Sequence, residues 1–214
     1  MLYDTMRQAL FKTVMKLYEK DLIQLNMGNA SVRVSADHIA ITPTSILYDD
    51  MTVDDLVITD LDGTVVDGSC KPSSETPMHT IVYKSMPKVN AVVHTHTAYA
   101  LAFAVTGRSI PIISTEGLAV RGPVPVADYA CPGTEGLGIA AVKAMKGPPS
   151  VTGVLLKNHG VLTVGSSLSE AYATAGKIEM AAKVFFLALQ IGNPIVMTDE
   201  QIREIRSLYL SAGC

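Results

Sequence analysis

A run of short alternating segments, joined by tight-turn signals, constrains the fold more than any other feature of this sequence. Residues 31–35 and 38–42 alternate between apolar and polar positions, and 53–60 and 65–66 flank the turn signal Asp62-Gly63. Tight turns of this kind join antiparallel neighbours, whereas parallel strands need a crossover of about a dozen residues or more. A purely parallel, doubly wound sheet is therefore disfavoured. A second hairpin is expected between the apolar runs 151–156 and 161–164, across Asn158-His159-Gly160. Residues 89–96 read as a buried strand, and 110–113 and 124–127 as short extended segments.

Helices fill the intervals. Leu2, Met6, Leu10, Val14 and Leu17 recur at helical spacing and predict an opening helix of about five turns. Ser73-Ser74-Glu75 reads as a helix start, followed by an apolar stripe at Met78, Ile81, Val82 and Met86. Further helices are expected over 99–105, 133–145, 169–191 and 199–210, the third of these four being the longest. The run Lys146-Gly147-Pro148-Pro149 stops the helix before it. No repeat, linker or low-complexity tract divides the chain. The expectation is α/β: a single three-layer domain over residues 1–214, with a central, largely antiparallel or mixed sheet and helices on its faces.

Composition narrows the function. Hydrophobic residues make up 48% and charged residues 17%, which fits a packed fold and not disorder. Aromatic residues make up 6%, Trp is absent and no Lys/Arg block tracks a polyanion, so nucleic acid is not expected as a partner. The N-terminus does not resemble a signal peptide, and windows such as 98–105 are too short to span a bilayer; no membrane association is expected. Cys70, Cys131 and Cys214 form an odd, widely spaced set, which suits a reducing cytoplasmic compartment better than a disulfide framework.

Two of the five histidines stand in His94-Thr95-His96, at the end of an apolar strand. Positions i and i+2 of a strand face the same way, so both imidazoles can reach one ion. His159 ends another apolar run. If the two strand ends are neighbours, three ring nitrogens converge, which is how a catalytic zinc is held with one position left open. An isolated His-x-His or Asn-His-Gly more often has an ordinary structural reading; two of them at sheet ends, with a carboxylate near, favour a metal site. That carboxylate is Glu75. It serves either as a first-turn residue in a helix-capping arrangement or as a metal-facing ligand or general base. His38 and His79 read as structural.

Small polar donors cluster in Gly28-Asn29-Ala30-Ser31, Thr42-Pro43-Thr44-Ser45 and Ser73-Ser74. Each alone is an ordinary turn or cap; together they can cradle a phosphate, Ser73 and Ser74 doing so at a helix N-terminus. Neither a Walker-type loop nor a Gly-x-Gly-x-x-Gly run occurs, so nucleotide binding has no support.

The segments Gly28-Asn29-Ala30-Ser31, Ile41-Thr42-Pro43-Thr44, Pro72-Ser73-Ser74-Glu75, Val92-Val93-His94-Thr95-His96 and Asn158-His159-Gly160 occur in this order, and in it the chain resembles the class II aldolase/adducin family. The resemblance runs from about Asn26 to Glu179. It implies zinc, one per chain, on His94, His96 and His159, with Glu75 beside the metal as ligand or acid/base. It implies a sugar-phosphate substrate whose phosphate is held by Gly28, Asn29, Thr44, Ser45, Ser73 and Ser74. It also implies a homotetramer with active sites at subunit interfaces.

The chain departs from the family pattern in places. Ser45 stands where the phosphate loop carries Gly. Thr115 stands where the aldolases carry a Tyr, and their second catalytic Tyr has no clear match, although Tyr209 lies near that place. No residue is thereby assigned to protonate the leaving aldehyde. The segment Leu118-Ala119-Val120 lacks the Asp of the ribulose-phosphate 4-epimerases, which counts against epimerisation. Glu116 keeps a methylthioribulose-1-phosphate dehydratase in view. A non-catalytic, adducin-like module is disfavoured by the intact ligand set. The leading expectation is zinc-dependent aldol cleavage of a ketose 1-phosphate of the L-fuculose 1-phosphate type, to dihydroxyacetone phosphate and a small aldehyde.

Overall fold

The periodic apolar residues of the N-terminal segment form α1 (Asp4–Glu19), which buries Leu10, Val14 and Leu17. This computed structural model describes residues 2–147 and 150–211. Cys214 and the Pro148-Pro149 helix stop lie outside the described residues, as do the side chains of Ala119 and of 209–211, and Tyr209 with them.

The alternating region folds as β1 (Asn29–Arg33), β2 (His38–Ile41), β3 (Val57–Asp60) and β4 (Val65–Asp67), each paired antiparallel with the next. The expected strand over 53–60 is shorter than its apolar pattern. Val53–Asp55 forms a 3-10 turn, because the Asp55 carboxylate accepts both the Thr52 N–H and its hydroxyl at 2.7 Å. Next come α2 (Thr76–Ser85), β5 (Ala91–Thr95) and α3 (Ala98–Thr106). Residues 110–113 and 124–127 contribute less strand than expected, a bridge at Ile110 and Val124 and the two-residue β6 (Val126–Ala127). Pro111, Pro123 and Pro125 lack the N–H that a ladder needs. Between them Thr115–Val120 forms a 3-10 turn that no periodicity signals. α4 (Glu135–Met145) starts two residues later than expected, because Gly133 has φ 77° and Thr134 is extended. β7 (Gly153–Leu156) and β8 (Gly160–Gly165) form the second hairpin, and α5 (Leu168–Ile191) and α6 (Asp199–Ser211) follow.

The eight strands make one mixed sheet in the order β4-β3-β2-β1-β5-β8-β7-β6, antiparallel except for the β6–β7 pair. α2 and α4 pack on one face around Met78, Val82, Leu137 and Met145; α1 and α5 pack on the other, with α3 beside α5. Three layers result, as expected. β5, which carries His94, and β8, which His159 immediately precedes, are central, so their ends are held by pairing on both sides.

Candidate metal centre and active site

β5 is apolar and fully buried, and places His94 at its fourth position with no exposed surface. His96 lies one residue past the strand. The helix after it is clamped from outside, since the Glu179 carboxylate of α5 accepts the N–H groups of Tyr99 and Ala100 at 3.1 and 2.9 Å. This caps the N-terminus of α3, where Thr97 makes no side-chain cap bond among the described residues. His159 arrives from the β7–β8 turn, where Leu156 pairs with Gly160 and Asn158 takes a left-handed φ of 60°. Asn tolerates that region better than most residues.

Gly160 is what allows the two elements to meet. A Cβ there would lie 2.5 Å from the Thr95 carbonyl oxygen and within 3.1 Å of both the His94 and His96 rings. Gly160→Ala is expected to wedge the hairpin from the end of β5. The expected outcome is a loss of about 1–3 kcal/mol in denaturant stability from overpacking, and a drop of roughly 10–100-fold in zinc affinity, read by chelator competition.

The three rings converge, with centroids 4.7 Å apart for His94–His96 and His94–His159, and 4.9 Å for His96–His159. One ligand nitrogen from each lies within 4.8 Å of the others. His94 Nδ1 sits 2.8 Å from the Val161 carbonyl oxygen, which can only accept, so in the neutral ring the proton is on Nδ1. The Nε2 lone pair then faces the cluster, 2.8 Å from His96 Nε2 and 2.9 Å from Glu75 Oε2. Glu75 Oε1 is 3.3 Å from His159 Nε2, yet Glu75 Oε1 and His159 Nδ1 are both buried without a hydrogen-bond partner among the described residues. Acceptors crowded together with too few protons form the donor set that a divalent cation satisfies.

The charge states agree. Burial pushes His96 down to about 4, helped by the neighbouring imidazoles, and burial likewise lowers His159. Neutral imidazole is the ligating form. For Glu75, burial opposes ionisation. Against it the Asn29 amide N–H donates to Oε2, and positive charge placed among the histidines would hold the carboxyl below its ordinary range. Glu75 also resolves its two sequence readings. It occupies the N-cap position of α2 but makes no side-chain cap bond; Ser73 Oγ accepts its N–H at 3.2 Å instead. The carboxylate is turned to the histidines.

The donor segments meet beside this cluster. The Thr44 N–H bonds to the Lys71 carbonyl and the Ser73 N–H to the Thr42 carbonyl, both at 3.0 Å, which stitches the two loops together. A cleft of about 330 Å³ is lined by Gly28, Asn29, Thr44, Ser73, Ser74, Glu75, His96 and His159, together with Asn26, Met27, Pro43, Pro132 and Gly133. None of these is Lys or Arg. Ser45 is not among them, and it holds a left-handed φ of 64°, the conformation for which the family's Gly is suited. Gly28, at φ 81°, brings β1 close to β5, since a Cβ would lie 2.7 Å from the His94 carbonyl oxygen. Asn29, directly opposite His94 in the ladder, uses its amide on Glu75 and His79. Thr115 and Glu116 are exposed on the 3-10 turn and do not line the cleft. Sequence reasoning missed Asn26, Pro132 and Gly133. The first has a signal in hindsight, two residues before the Gly28 motif; the other two reach the cleft only through the loop before α4.

A central mixed sheet, three convergent histidines and a buried carboxylate define a candidate metal site of the kind a catalytic divalent ion occupies. Residues 8–186 match the Class II Aldolase and Adducin N-terminal domain family, and the chain belongs to that family. It is 32% identical to the L-fuculose phosphate aldolase of Escherichia coli K12 over 96% of this chain and 94% of that one. It is also 32% identical to the 5-deoxy-D-ribulose 1-phosphate aldolase of Bacillus thuringiensis serovar kurstaki, over 100% and 99% of the two chains. A solved structure of L-fuculose 1-phosphate aldolase superposes with a TM-score of 0.89 at 35% identity, covering 96% of each chain.

Proposed function

We propose that this protein reversibly cleaves a ketose 1-phosphate between C3 and C4, giving dihydroxyacetone phosphate and a small aldehyde. The observation that carries the reading is the position of Glu75. Its carboxylate lies against His94 and His159 in the cleft that also collects the neutral phosphate donors. His94, His96 and His159 would hold a zinc ion, with Glu75 as ligand or neighbour. When bound, that ion supplies Lewis-acid stabilisation of the negative charge that builds on the ketose oxygens as the bond breaks.

The chain's own residues do the rest. Thr44, Ser73 and Ser74 hold the phosphate by hydroxyl donors at the start of α2, where the helix dipole favours an anion. Gly28, Asn29 and Ser45 complete the proposed anion set, Gly28 through its backbone. Anchoring the phosphate fixes C3 of the sugar relative to Glu75. In the cleavage direction the C4 hydroxyl loses its proton as the C3–C4 bond breaks, and Glu75 in its protonated form delivers one to C3; in the synthetic direction Glu75 removes a proton from that carbon and the aldehyde oxygen gains one as the bond forms. No lysine is needed for a Schiff base. The exposed apolar side chains of Met180, Val184, Leu187 and Ile191 on α5 support assembly into a homotetramer with interfacial active sites. No described helix is long and apolar enough to cross a membrane. A cytoplasmic location and a single class II aldolase-like domain over 1–214 complete the proposal.

The test is a substrate panel. L-fuculose 1-phosphate, 5-deoxyribulose 1-phosphate and methylthioribulose 1-phosphate are each incubated with zinc-loaded protein, and dihydroxyacetone phosphate and aldehyde are measured separately. Equimolar release of both from at least one sugar is expected, with little from the unphosphorylated counterpart. Consumption of methylthioribulose 1-phosphate without aldehyde would move the assignment to a dehydratase.

A further inference from the structure

Behind Glu75 runs a chain of buried polar groups, of which only Asn29 has a further part, in the proposed anion set. Asn29 and Ser31, two apart on β1, face the same side of the sheet, and His79 and Tyr83, four apart on α2, face them. His79 has no exposed surface and Tyr83 has 1%. Each bond in the chain has one allowed direction. Glu75 Oε2, a carboxylate oxygen, accepts from Asn29 Nδ2 at 3.0 Å, so the Asn29 oxygen must point the other way. That oxygen lies 2.6 Å from His79 Nε2, which must therefore carry the ring proton. His79 Nδ1 is then a bare acceptor, 2.6 Å from the Ser31 hydroxyl, and Ser31 Oγ in turn lies 2.9 Å from the Tyr83 hydroxyl, which donates to it. Burial favours the neutral forms of the two ionisable groups behind Asn29, pushing His79 down to about 3 and raising Tyr83.

We propose that His79 is a positioning residue for the reaction: by donating from Nε2 it locks the Asn29 amide with its N–H toward Glu75, and so holds that carboxylate aimed at the histidine cluster. The inference rests on the reading of Glu75 as the acid/base. The chain orders but does not conduct, because an amide stands between the imidazole and the carboxylate and does not relay a proton. Without His79 the Asn29 amide is held toward Glu75 by a single described bond, and its oxygen is left without a described donor. A core histidine with a packing role alone would have no reason to couple to Asn29 in turnover.

Two measurements on the zinc-loaded protein test this. The first is a ¹⁵N spectrum of protein labelled at histidine, which reads the tautomer without any substrate. His79 is expected as the neutral Nε2–H form, and Asn29→Ala is expected to remove that preference. A His79 ring protonated on Nδ1 in the unaltered protein overturns the proposal. The second is a double-mutant cycle on turnover. His79→Phe is expected to lower kcat about 10–100-fold with a smaller change in KM, and His79→Gln, which offers one donor and one acceptor, is expected to recover most of the loss. In an Asn29→Ala background His79→Phe is expected to cost little more, since the link is already cut. Losses that multiply in full, or no recovery by Gln, overturn it. If the unaltered protein cleaves no ketose 1-phosphate, the assignment of the reaction fails separately, and the tautomer still decides for or against the chain.

Discussion

Replacing Glu75 with Gln is expected to lower turnover by about 10²–10⁴-fold, the usual contribution of a general base, while the fold and the zinc remain. Gln fills the same space, and its carbonyl can still accept the Asn29 N–H that Glu75 Oε2 accepts at 3.0 Å. What it cannot do is take a proton. The competing explanation, a capping carboxylate, would make the change cost only about 0.3–1 kcal/mol in stability, and Glu75 makes no side-chain cap bond among the described residues. One partial reaction isolates the step. With dihydroxyacetone phosphate alone in deuterated water, the unaltered protein should exchange one proton at the hydroxymethyl carbon, and the variant should exchange far more slowly. Zinc content has to be measured on the same samples, because Glu75 lies close enough to the histidines to act as a ligand. Undiminished exchange in a fully metallated Glu75→Gln protein would refute the role.

The parts of this molecule that local patterning controls were legible in the sequence. Alternation with turn residues located β1 to β4, and the apolar runs that end in histidine located β5, β7 and the hairpin between β7 and β8. The strand pairing that brings His159 to His94 was not legible. It depends on β8 pairing with β5 at long range, which periodicity does not report. The 3-10 turn over Thr115–Val120 was invisible for a related reason: its mix of small and apolar residues, between prolines, matches neither helical nor strand spacing. His79 shows the limit most clearly. Its place on a helix, one turn after Glu75, reads as structural, and both hydrogen bonds of its ring go to β1, whose register against α2 no spacing rule supplies. Glu75 stood equally between two readings until the direction of its side chain was known.

Removing the metal is expected to abolish turnover and to loosen the site, with re-added zinc restoring both. Purified protein should carry close to one divalent ion per chain. The expectation follows from how the acceptors are arranged. The His94 proton is committed to the Val161 carbonyl, so the Nε2 lone pair faces His96 Nε2 at 2.8 Å and Glu75 Oε2 at 2.9 Å. Without a cation the His94 Nε2 lone pair and the Glu75 Oε2 carboxylate repel, and Glu75 Oε1 keeps no hydrogen-bond partner among the described residues. A ligand that binds only the folded state stabilises it by about 2.7 kcal/mol at one hundred times its Kd. For a chain of this size each kcal/mol moves Tm by roughly 2–4 °C. Chelation should therefore lower Tm by several degrees as well as silence the assay. His159→Ala removes one ligand from a turn without touching the central strands. It should lose zinc and activity and keep the fold, with its Tm close to that of the chelated protein and no longer responsive to chelator. His94→Ala is the harsher change, because it also opens a fully buried position in β5. Full turnover by metal-free protein, or by His159→Ala without bound zinc, would overturn the assignment of the three histidines.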